Sequence, residues 1–214
     1  MIYKEINFKS INDPFCSVEM AGNPGTFFMI KLNPYCKVSP LVPEEFSSVI
    51  RYFLDSSPEE CKMRGTDASK FPSFEDWYAK MLSEYEKPLK EKNYLCLGWY
   101  YKDELIGHSA IDNIAFGQTA RFHLHIWEAD LRHKKLGRTL LYKSLKYYFQ
   151  HFQLKTIICE PNAENKAPNN LLLRLGFKKI KTYETIPHLI CLKQEVTRYK
   201  LDKLTLDSLD LGGS

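Results

Sequence analysis

The chain has 214 residues, of which 30 are Lys or Arg and 26 are Asp or Glu, so its formal net charge is +4 at pH 7. This length favours a single domain with a substantial core, and the small positive charge suits a phosphate-bearing ligand at least as well as a nucleic acid. The six cysteines form no CxxC pair and have no short spacing to a histidine, which argues against a zinc site and a disulfide framework.

No apolar stretch approaches the roughly 20 residues that are needed to cross a bilayer. The amino terminus also lacks the basic-then-apolar order of a signal peptide. We therefore expect a cytoplasmic protein with reduced thiols and no membrane partner. The closing Gly-Gly-Ser has no packing role that we can name, so we leave it out of the predicted fold.

The first part of the chain is predicted to begin irregularly and then to form a strand and a helix. Residues 1–25 are an irregular extension rich in Asn, Pro and Gly, and residues 26–32, TFFMIKL, are predicted to be the first strand. Pro43 and the two glutamates after it favour a helix start. The apolar residues of that helix recur on one face, at Phe46, Val49, Ile50, Phe53 and Leu54.

A second helix and a hairpin follow. Ser73 and Asp76 resemble a capping box. The apolar positions after Ser73 have helical spacing, at Phe74, Trp77, Tyr78, Met81, Leu82 and Tyr85. Residues 93–114 are instead rich in β-forming residues on both sides of the charged turn 102–104, as is typical of an antiparallel hairpin.

The stretch TARFHLHIWE, residues 119–128, alternates as a half-buried strand does. One face carries Phe122, Leu124 and Ile126, and the other carries His123, His125 and Trp127. The period of two therefore places both histidines on one face of a central strand.

The last part of the chain is predicted to contain a helix, a strand, a shorter helix and a final pair of strands. The first of these helices carries Leu141, Leu145, Tyr148, Phe149 and Phe152. The strand lies within residues 154–161, the shorter helix within residues 163–176, and the strand pair within residues 177–184 and 187–196. This order predicts an α+β fold with a mixed sheet.

Residues 130–142, DLRHKKLGRTLLY, form the joint between the central strand and the helix after it. A helix amino terminus presents unpaired N–H groups and the positive end of the helix dipole, so it binds anions. Basic side chains surround this one, at Arg132, His133, Lys134, Lys135 and Arg138. The pattern favours a phosphate or pyrophosphate site, although the same charges also suit a solvated turn. Neither GxxxxGK nor GxGxxG occurs here, which excludes two common nucleotide loops.

The stretch from Arg132 to Gly137 resembles the acyl-CoA pyrophosphate loop of the GNAT superfamily of N-acetyltransferases. In that loop Arg or Gln is followed by two residues, a glycine, one residue, and Gly or Ala; Lys135 here takes the place of the first glycine. A later stretch is similar to the family's next segment, because Asn165 opens a short helix and Leu175-Gly176-Phe177 closes it. The order of the predicted elements is also similar to that of the family.

The resemblance implies one GNAT domain over residues 26–196, with a mixed, mostly antiparallel sheet flanked by helices, and a tail over residues 197–214. Acetyl-CoA would lie in a cleft where the central strand and the next strand splay apart, beyond Trp127 and Cys159. No metal is implied. The residues implied to bind the cosubstrate are Ile126, Trp127, Glu128, Arg132, His133, Lys134, Lys135, Leu136, Gly137, Arg138, Thr139 and Asn165.

Members of the family move the acetyl group directly to an amine, so the resemblance implies a proton acceptor for the attacking amine. The candidates are Glu128, His125 and His123, all near the end of the central strand. Histidine titrates in the range that this task needs, but a histidine on a strand face is also a common structural residue. A bulge near the strand end would decide which of the three faces the cleft, so all three stay open.

The departing thiolate needs a proton donor, and many family members carry a tyrosine seven residues after the helix-opening asparagine. From Asn165 this count reaches Leu172, which has no proton to give. The substitutes are Tyr183, Asn170 and Cys159, of which we assign Tyr183. Tyr183 also suits a packed sheet position and Cys159 a buried strand thiol, and solvent is a further source of the proton.

Residues 55–92 occupy the place where the family builds its amine site. The residues there that suit a cationic amine are Trp77, Tyr78, Tyr85, Glu59, Glu60, Asp67, Glu75 and Asp76. Solvated helix positions explain most of these acids equally well. The stretch SPEECKMRG, residues 57–65, is similar to an S-P-E-x-x-x-x-R stretch of some bacterial protein lysine acetyltransferases. A small amine, a protein amino terminus and a lysine side chain all stay open as acceptors.

The leading hypothesis is an acetyl-CoA-dependent N-acetyltransferase of primary amines, as a monomer or homodimer. The alternative is a GNAT-fold module that binds acyl-CoA or a protein with weak or no catalysis, for which Lys135 and Leu172 are the reasons. A nucleic-acid-binding protein would use the basic residues 132–138 and 178–181. No aromatic residue interleaves with them in a recognisable module pattern, so we expect no nucleic-acid partner.

Overall fold

The computed structural model describes residues 32–127, residue 131 and residues 136–210. The strands are β1 Cys36–Pro40, β2 Tyr94–Tyr101, β3 Glu104–Ala115, β4 Thr119–Ile126, β5 Thr156–Cys159, β6 Lys178–Thr185 and β7 Gln194–Asp202. The helices are α1 Phe46–Leu54, α2 Pro58–Arg64, α3 Phe74–Glu86, α4 Leu136–His151, α5 Lys166–Arg174 and α6 Lys203–Asp210. The seven strands form one sheet in the order β1-β2-β3-β4-β5-β7-β6, in which only β4 and β5 pair in parallel. The predicted α+β class with a mixed, mostly antiparallel sheet is confirmed.

Helices α1 and α3 form as predicted and cover one face of the sheet. A 3-10 turn at Pro43–Glu45 leads into α1, whose apolar stripe is buried at Phe46, Val49, Ile50 and Phe53. Ser73 caps α3, because its Oγ accepts the N–H of Asp76 at 3.1 Å. Met81 of α3 joins the same core as the α1 stripe. These two helices therefore form one wall above the sheet.

Helix α2 was not predicted, since only one of its residues, Cys61, is buried and it shows no apolar stripe. It is defined by its ends. Ser57 Oγ accepts the N–H of Glu60 at 3.2 Å, and Glu60 Oε2 accepts the N–H of Ser57 at 2.9 Å, which is a capping box. Gly65 ends the helix in the left-handed region, at φ 69°.

The opposite face of the sheet is covered by α4, which confirms the helix predicted after the charged joint. Its inward residues Leu141, Leu145, Tyr148 and Phe149 are buried, as is Phe152 just beyond its end. They pack on Trp99 and Phe122 of the sheet. The sheet thus lies between α1 and α3 on one side and α4 on the other, which is a three-layer arrangement.

The first strand of the sheet differs from the prediction. The predicted strand at residues 26–32 lies outside the described residues except for Leu32, which is irregular. The described sheet begins instead with β1, which the sequence analysis missed because its five residues, CKVSP, are short and mixed in polarity.

The last strand starts at Gln194 rather than at Pro187 and runs past Val196 to Asp202. The apolar residues that led to the earlier start belong to the loop between β6 and β7, where Leu189 is 79% exposed. Burial alternates in the true strand, with Val196 and Leu201 fully buried. The segment after Val196 therefore continues the sheet and ends in α6.

An opening in the sheet positions the candidate site. The parallel pairing of β4 with β5 ends at Phe122 and Cys159, whereas β4 continues on its other side against β3 as far as Ile126. The two strands therefore separate after Phe122, earlier on β4 than the resemblance implies. No helix among residues 32–127 and 136–210 is long and apolar enough to cross a membrane.

Candidate active site

A cavity of about 840 Å³ lies beside the open half of β4, on the face of the sheet that α1 and α3 cover. Its walls are formed by α1, the end of α2, α3, the segment before α5, and the loop between β6 and β7. His125 and His123 of β4 both line it, as the alternation of the strand predicted. The described part of β4 pairs with β3 without a register shift from Arg121 to Ile126, so no bulge there moves either histidine to the other face.

The ring of His125 lies in an aromatic setting. It stacks on His108 of β3 at a centroid distance of 4.9 Å and an angle of 24°, and the edge of Phe53 packs against it at 5.3 Å. The hydroxyl of Tyr52 lies 3.4 Å from its Nδ1. His125 is only partly buried, so its imidazole is fixed in orientation and still reaches the cavity.

His108 is the buried member of this stack. Burial, and then the charges of His123 and Arg64, lower the pKa of His108 to about 3. Its Nδ1 accepts a hydrogen bond from Trp127 Nε1 at 2.9 Å. His108 is therefore neutral at neutral pH, with the tautomer set by an indole donor. A group that protonates only near pH 3 is too weak a base to hold the proton of an amine.

His123 belongs to a second cluster, whose centre is Asp112 of β3. Arg121 binds this carboxylate through two nitrogens at 2.7 and 2.8 Å, and Nε2 of His123 and of His188 lie 3.2 and 3.4 Å from it. Burial alone would raise the pKa of Asp112, but hydrogen bonds from His123 and Arg121 outweigh it and hold that pKa well below its usual range. Burial, and then the charge of His123, lower the pKa of His188 to about 4. The imidazole of His123 is thus tied to a structural ion pair.

Tyr183, the predicted proton donor, is not among the residues that line the cavity. Its hydroxyl donates to Glu160, which does line the cavity. Glu160 also accepts a hydrogen bond from Arg198 Nε at 2.5 Å. Burial, and then the hydrogen bond to Glu160, raise the pKa of Tyr183. Its proton is therefore held by a neighbouring carboxylate.

The other donor candidates are placed as follows. Cys159 lines the cavity but is almost fully buried. This burial raises the pKa of its thiol well above the usual range. Asn170 is exposed and does not line the cavity. Leu172 is fully buried in the core. A thiol that stays protonated is a poor nucleophile, which favours direct transfer over a route through Cys159.

Five of the implied cosubstrate residues lie outside the described part of the chain: Glu128, Arg132, His133, Lys134 and Lys135. The rest of the loop opens α4. Leu136 is buried in the core, and the Oγ1 of Thr139 accepts the N–H of Asn33 at 3.1 Å, so both side chains serve packing. Gly137 lies close to Ile126 of β4 and Leu171 of α5, where an added Cβ would meet side-chain carbons at 3.4 Å.

Arg138 gives the clearest sign of an anion site. Its Nε is buried and has no hydrogen-bond partner among the described residues. Burial, and then the charge of Arg174, lower the pKa of Arg138. A buried guanidinium N–H without an acceptor is costly unless a ligand supplies one. Arg138 in the first turn of α4 therefore fits the phosphate groups of a CoA molecule.

Asn165 stands before α5 and lines the cavity, as the resemblance implies. Its side chain makes no capping hydrogen bond. The segment is held instead by Asn169, whose Nδ2 donates to the backbone carbonyls of Asn162 and Asn165 at 2.9 and 2.6 Å. Asn169 is 9% exposed and leaves the Asn165 side chain at the cavity wall.

Sequence reasoning missed the partners of the two histidines. Tyr52 lies off the apolar stripe of α1, and His108 and Asp112 come from the hairpin strand β3. A signal existed for His108 and Asp112, since both are titratable residues within a strand that was predicted to be half of a hairpin. The contacts depend on how β3 registers with β4, which the sequence does not state.

The fold and the site together define a GNAT-type acetyltransferase: a mixed sheet opens between its two parallel strands, and the first turn of α4 carries an arginine whose buried Nε has no acceptor among the described residues. The sequence agrees, since the model of the Acetyltransferase (GNAT) family matches residues 60–177. The chain belongs to this family and is an acyl-CoA N-acetyltransferase. No curated protein matched the sequence at a significant level.

Solved structures of similar fold include Vibrio cholerae spermidine N-acetyltransferase in complex with CoA and spermine, at a TM-score of 0.67 and 17% identity over 81% of this chain and 99% of that one. Mycobacterium smegmatis RimJ in complex with CoA-disulfide has a TM-score of 0.64 at 13% identity, over 83% and 89%. The ribosomal-protein-S5-alanine acetyltransferase of Vibrio fischeri has a TM-score of 0.63 at 15% identity, over 79% and 94%. The TM-scores show that these proteins share the fold of this chain.

Proposed function

We propose that the protein uses acetyl-CoA and moves the acetyl group directly to a primary amine of a small molecule or a protein. The observation that carries this proposal is the gap between β4 and β5 after Phe122 and Cys159. The two faces of the sheet differ in their surroundings near this gap. Arg138 lies on the α4 side of the sheet, and the cavity with His125 lies on the α1 and α3 side. A cosubstrate with an anionic end and a reactive end would use both faces by lying in the gap.

The residues proposed to hold acetyl-CoA divide by role. Arg138 supplies a guanidinium Nε that has no acceptor among the described residues, and Gly137 precedes it in the first turn of α4. Asn165 supplies an amide at the cavity wall. Ile126 and Trp127 stay predictions, because the Trp127 N–H already donates to Ile106 O at 3.0 Å on the β3 side of the strand. The residues outside the described part, Glu128 and 132–135, stay predictions. When bound, acetyl-CoA supplies a thioester carbonyl as the electrophile. The solved complexes of similar fold with CoA support acetyl-CoA as the cosubstrate.

We propose His125 as the proton acceptor. Its ring reaches the cavity and is fixed by Tyr52, His108 and Phe53, whereas His108 is too weak a base. The neutral amine attacks the carbonyl carbon, the C–N bond forms as the C–S bond breaks, and His125 takes the proton that the nitrogen loses. The role of Tyr183 as proton donor to the thiolate stays a prediction. Its hydroxyl donates to Glu160 in the structure, and it does not line the cavity. Glu128 is the alternative base.

The first test is calorimetric titration of the protein with acetyl-CoA, CoA and dephospho-CoA at two salt concentrations. We expect micromolar binding that weakens with salt and with loss of the 3′-phosphate. Thiol release is then followed with a panel of amines, and saturable turnover establishes catalysis. Binding without turnover on any amine would instead support the alternative, a GNAT-fold module that binds acyl-CoA. No binding of any of the three ligands would contradict both.

A further inference from the structure

The carboxylates that line the cavity are all engaged. In the described part of the chain they are Glu84, Asp112 and Glu160. Glu84 accepts hydrogen bonds from Lys87 and from two backbone N–H groups at 2.9 and 3.2 Å. Asp112 and Glu160 each hold a guanidinium group, as described above. A polycation that enters the cavity therefore meets carboxylates whose charges already have partners.

Arg64, the last residue of α2, also lines the cavity, and its side chain is 12% exposed. Its three kinds of nitrogen are fixed by one acceptor each: Nε by Glu60 O at 3.1 Å, Nη1 by Tyr52 O at 3.2 Å and Nη2 by Ser56 Oγ at 2.7 Å. Each terminal nitrogen carries a second N–H beyond these bonds. The nearest carboxylate, Glu60, is 3.7 Å away and 51% exposed. The guanidinium is thus rigid and incompletely compensated.

Lys80 of α3 is a further positive charge of the cavity wall, which Lys70 and Arg121 also line. It is exposed and makes no hydrogen bond or ion pair with another described residue. Its charge is among those that lower the pKa of His188, behind burial and the charge of His123. The described wall of the cavity therefore carries four cationic side chains, Arg64, Lys70, Lys80 and Arg121, against three carboxylates.

We infer that the acceptor is an amino-carboxylate, an amine that also bears a carboxylate, and that Arg64 recognises the carboxylate. The inference rests on the proposed function. A fixed guanidinium with free N–H groups matches a carboxylate in geometry and charge. A nearby positive charge also lowers the pKa of a bound ammonium, which favours the neutral amine that must attack the thioester. The same charges repel an acceptor that carries several ammonium groups.

The test compares amines that differ only by a carboxylate. The pairs are L-phenylalanine with phenethylamine and 4-aminobutyrate with propylamine, and spermidine serves as a polycation. Rates are compared at equal concentrations of the neutral amine, so that ordinary differences in amine pKa do not enter. We expect kcat/KM for at least one carboxylate-bearing member to exceed that of its partner by about tenfold or more. The inference is overturned if, in both pairs, kcat/KM of the amine without the carboxylate equals or exceeds that of its partner. It is also overturned if spermidine is the best acceptor.

Variants assign the preference to Arg64. Arg64→Gln is expected to bring the ratio within the preferred pair below about threefold, chiefly by raising KM for the carboxylate-bearing amine. Arg64→Lys keeps the charge but loses the planar guanidinium with its paired N–H groups. We expect its ratio to lie between those of the wild type and Arg64→Gln. Arg51→Gln is the matched control, because Arg51 lies on neighbouring α1, is 68% exposed and does not line the cavity. Each ratio is internal to one variant, so a loss of folded protein affects both members equally.

The outcomes separate this inference from the proposed function. Absence of acetyl-CoA binding and of thiol release with every amine contradicts the proposed function and, with it, the inference. Turnover of amines without a carboxylate preference contradicts the inference alone. A preference that survives in both Arg64→Gln and Arg64→Lys contradicts the role of Arg64. If Arg64→Gln does not fold, Arg64→Lys alone decides that role.

Discussion

The hydroxyl of Tyr52 lies 3.4 Å from Nδ1 of His125, although the two residues are 73 positions apart in the chain. The Tyr52 ring is itself held, because the Arg64 guanidinium lies over it at 4.4 Å and Trp127 stacks on it at 5.8 Å. A ring fixed in this way keeps its hydroxyl directed at the imidazole. The contact engages Nδ1 and holds the imidazole at the cavity wall.

Replacing His125 by Gln removes the proposed proton acceptor while keeping a polar side chain of similar length. We expect kcat to fall by about a hundredfold or more, as for loss of a general base. The acidic limb of the pH profile of kcat/KM should disappear as well, because the group whose protonation stops the reaction is gone. Steady-state assays from about pH 5.5 to about pH 9 would measure both effects.

His151→Gln is the control for this change. His151 ends α4, stacks on Tyr147 at 3.8 Å and does not line the cavity. Its replacement should leave the pH profile as in the wild type. If His125→Gln keeps the acidic limb and Glu128→Gln loses it, the base is Glu128.

Gly137 tests the assigned cosubstrate loop with two substitutions at one position. Gly137→Asp puts a negative charge beside the proposed phosphate site, and we expect the Kd for CoA to rise by about tenfold or more. Gly137→Ala should change it little, because the added Cβ meets Ile126 and Leu171 at 3.4 Å, which is ordinary contact. Calorimetry with CoA gives both values. Equal affinity in both variants would place the phosphates elsewhere.

Arg138→Met separates binding from stability. The Arg138 Nε is buried without a partner among the described residues, so an apolar side chain there relieves an unsatisfied group. We expect the free energy of unfolding to rise by on the order of 1 kcal/mol and the affinity for CoA to fall by about tenfold with a weaker dependence on salt. Urea unfolding and calorimetry measure the two. A fall in stability with unchanged affinity for CoA would mean that Arg138 only supports the fold.

The fold was predictable where an element buries one continuous stripe. Helices α1 and α4 each place apolar residues on one face, so their period identifies them. Helix α2 is different, because it depends on a capping box and on contacts that Arg64 makes with α1. Strand β7 was predicted too early because exposed apolar residues of the preceding loop, such as Leu189, resemble strand residues in sequence.

The site was predictable only in part, for a geometric reason. Alternation along β4 places His123 and His125 on one face without further information. Their different chemistry comes from β3, whose register sets His108 opposite His125 and Asp112 opposite Arg121. A shift of one residue would exchange the faces, and neither strand carries a pattern that fixes the pairing. The weak basicity of His108 and the ion pair at Asp112 therefore follow from the structure alone.

His108 gives a prediction for the pH dependence of stability. It is 3% exposed, and burial lowers its pKa to about 3, against an ordinary value of about 6.5. Between about pH 6.5 and about pH 3 the unfolded chain binds a proton that the folded protein does not. The free energy of unfolding should therefore fall as the pH falls through this window, by at most about 1.4 kcal/mol per pH unit from this residue. Above the window His108 contributes no slope.

His108→Gln tests this contribution, because an amide oxygen can still accept the indole N–H of Trp127 but does not titrate. Urea unfolding of the variant and the wild type is compared across the window and above it. We expect the stability of the variant to fall less steeply with decreasing pH, so that the difference between the two proteins narrows or reverses in acid. Above about pH 7 the two curves should run parallel, whatever packing the substitution loses. Parallel curves across the whole range would show that His108 protonates alike in both states and that burial does not hold it neutral.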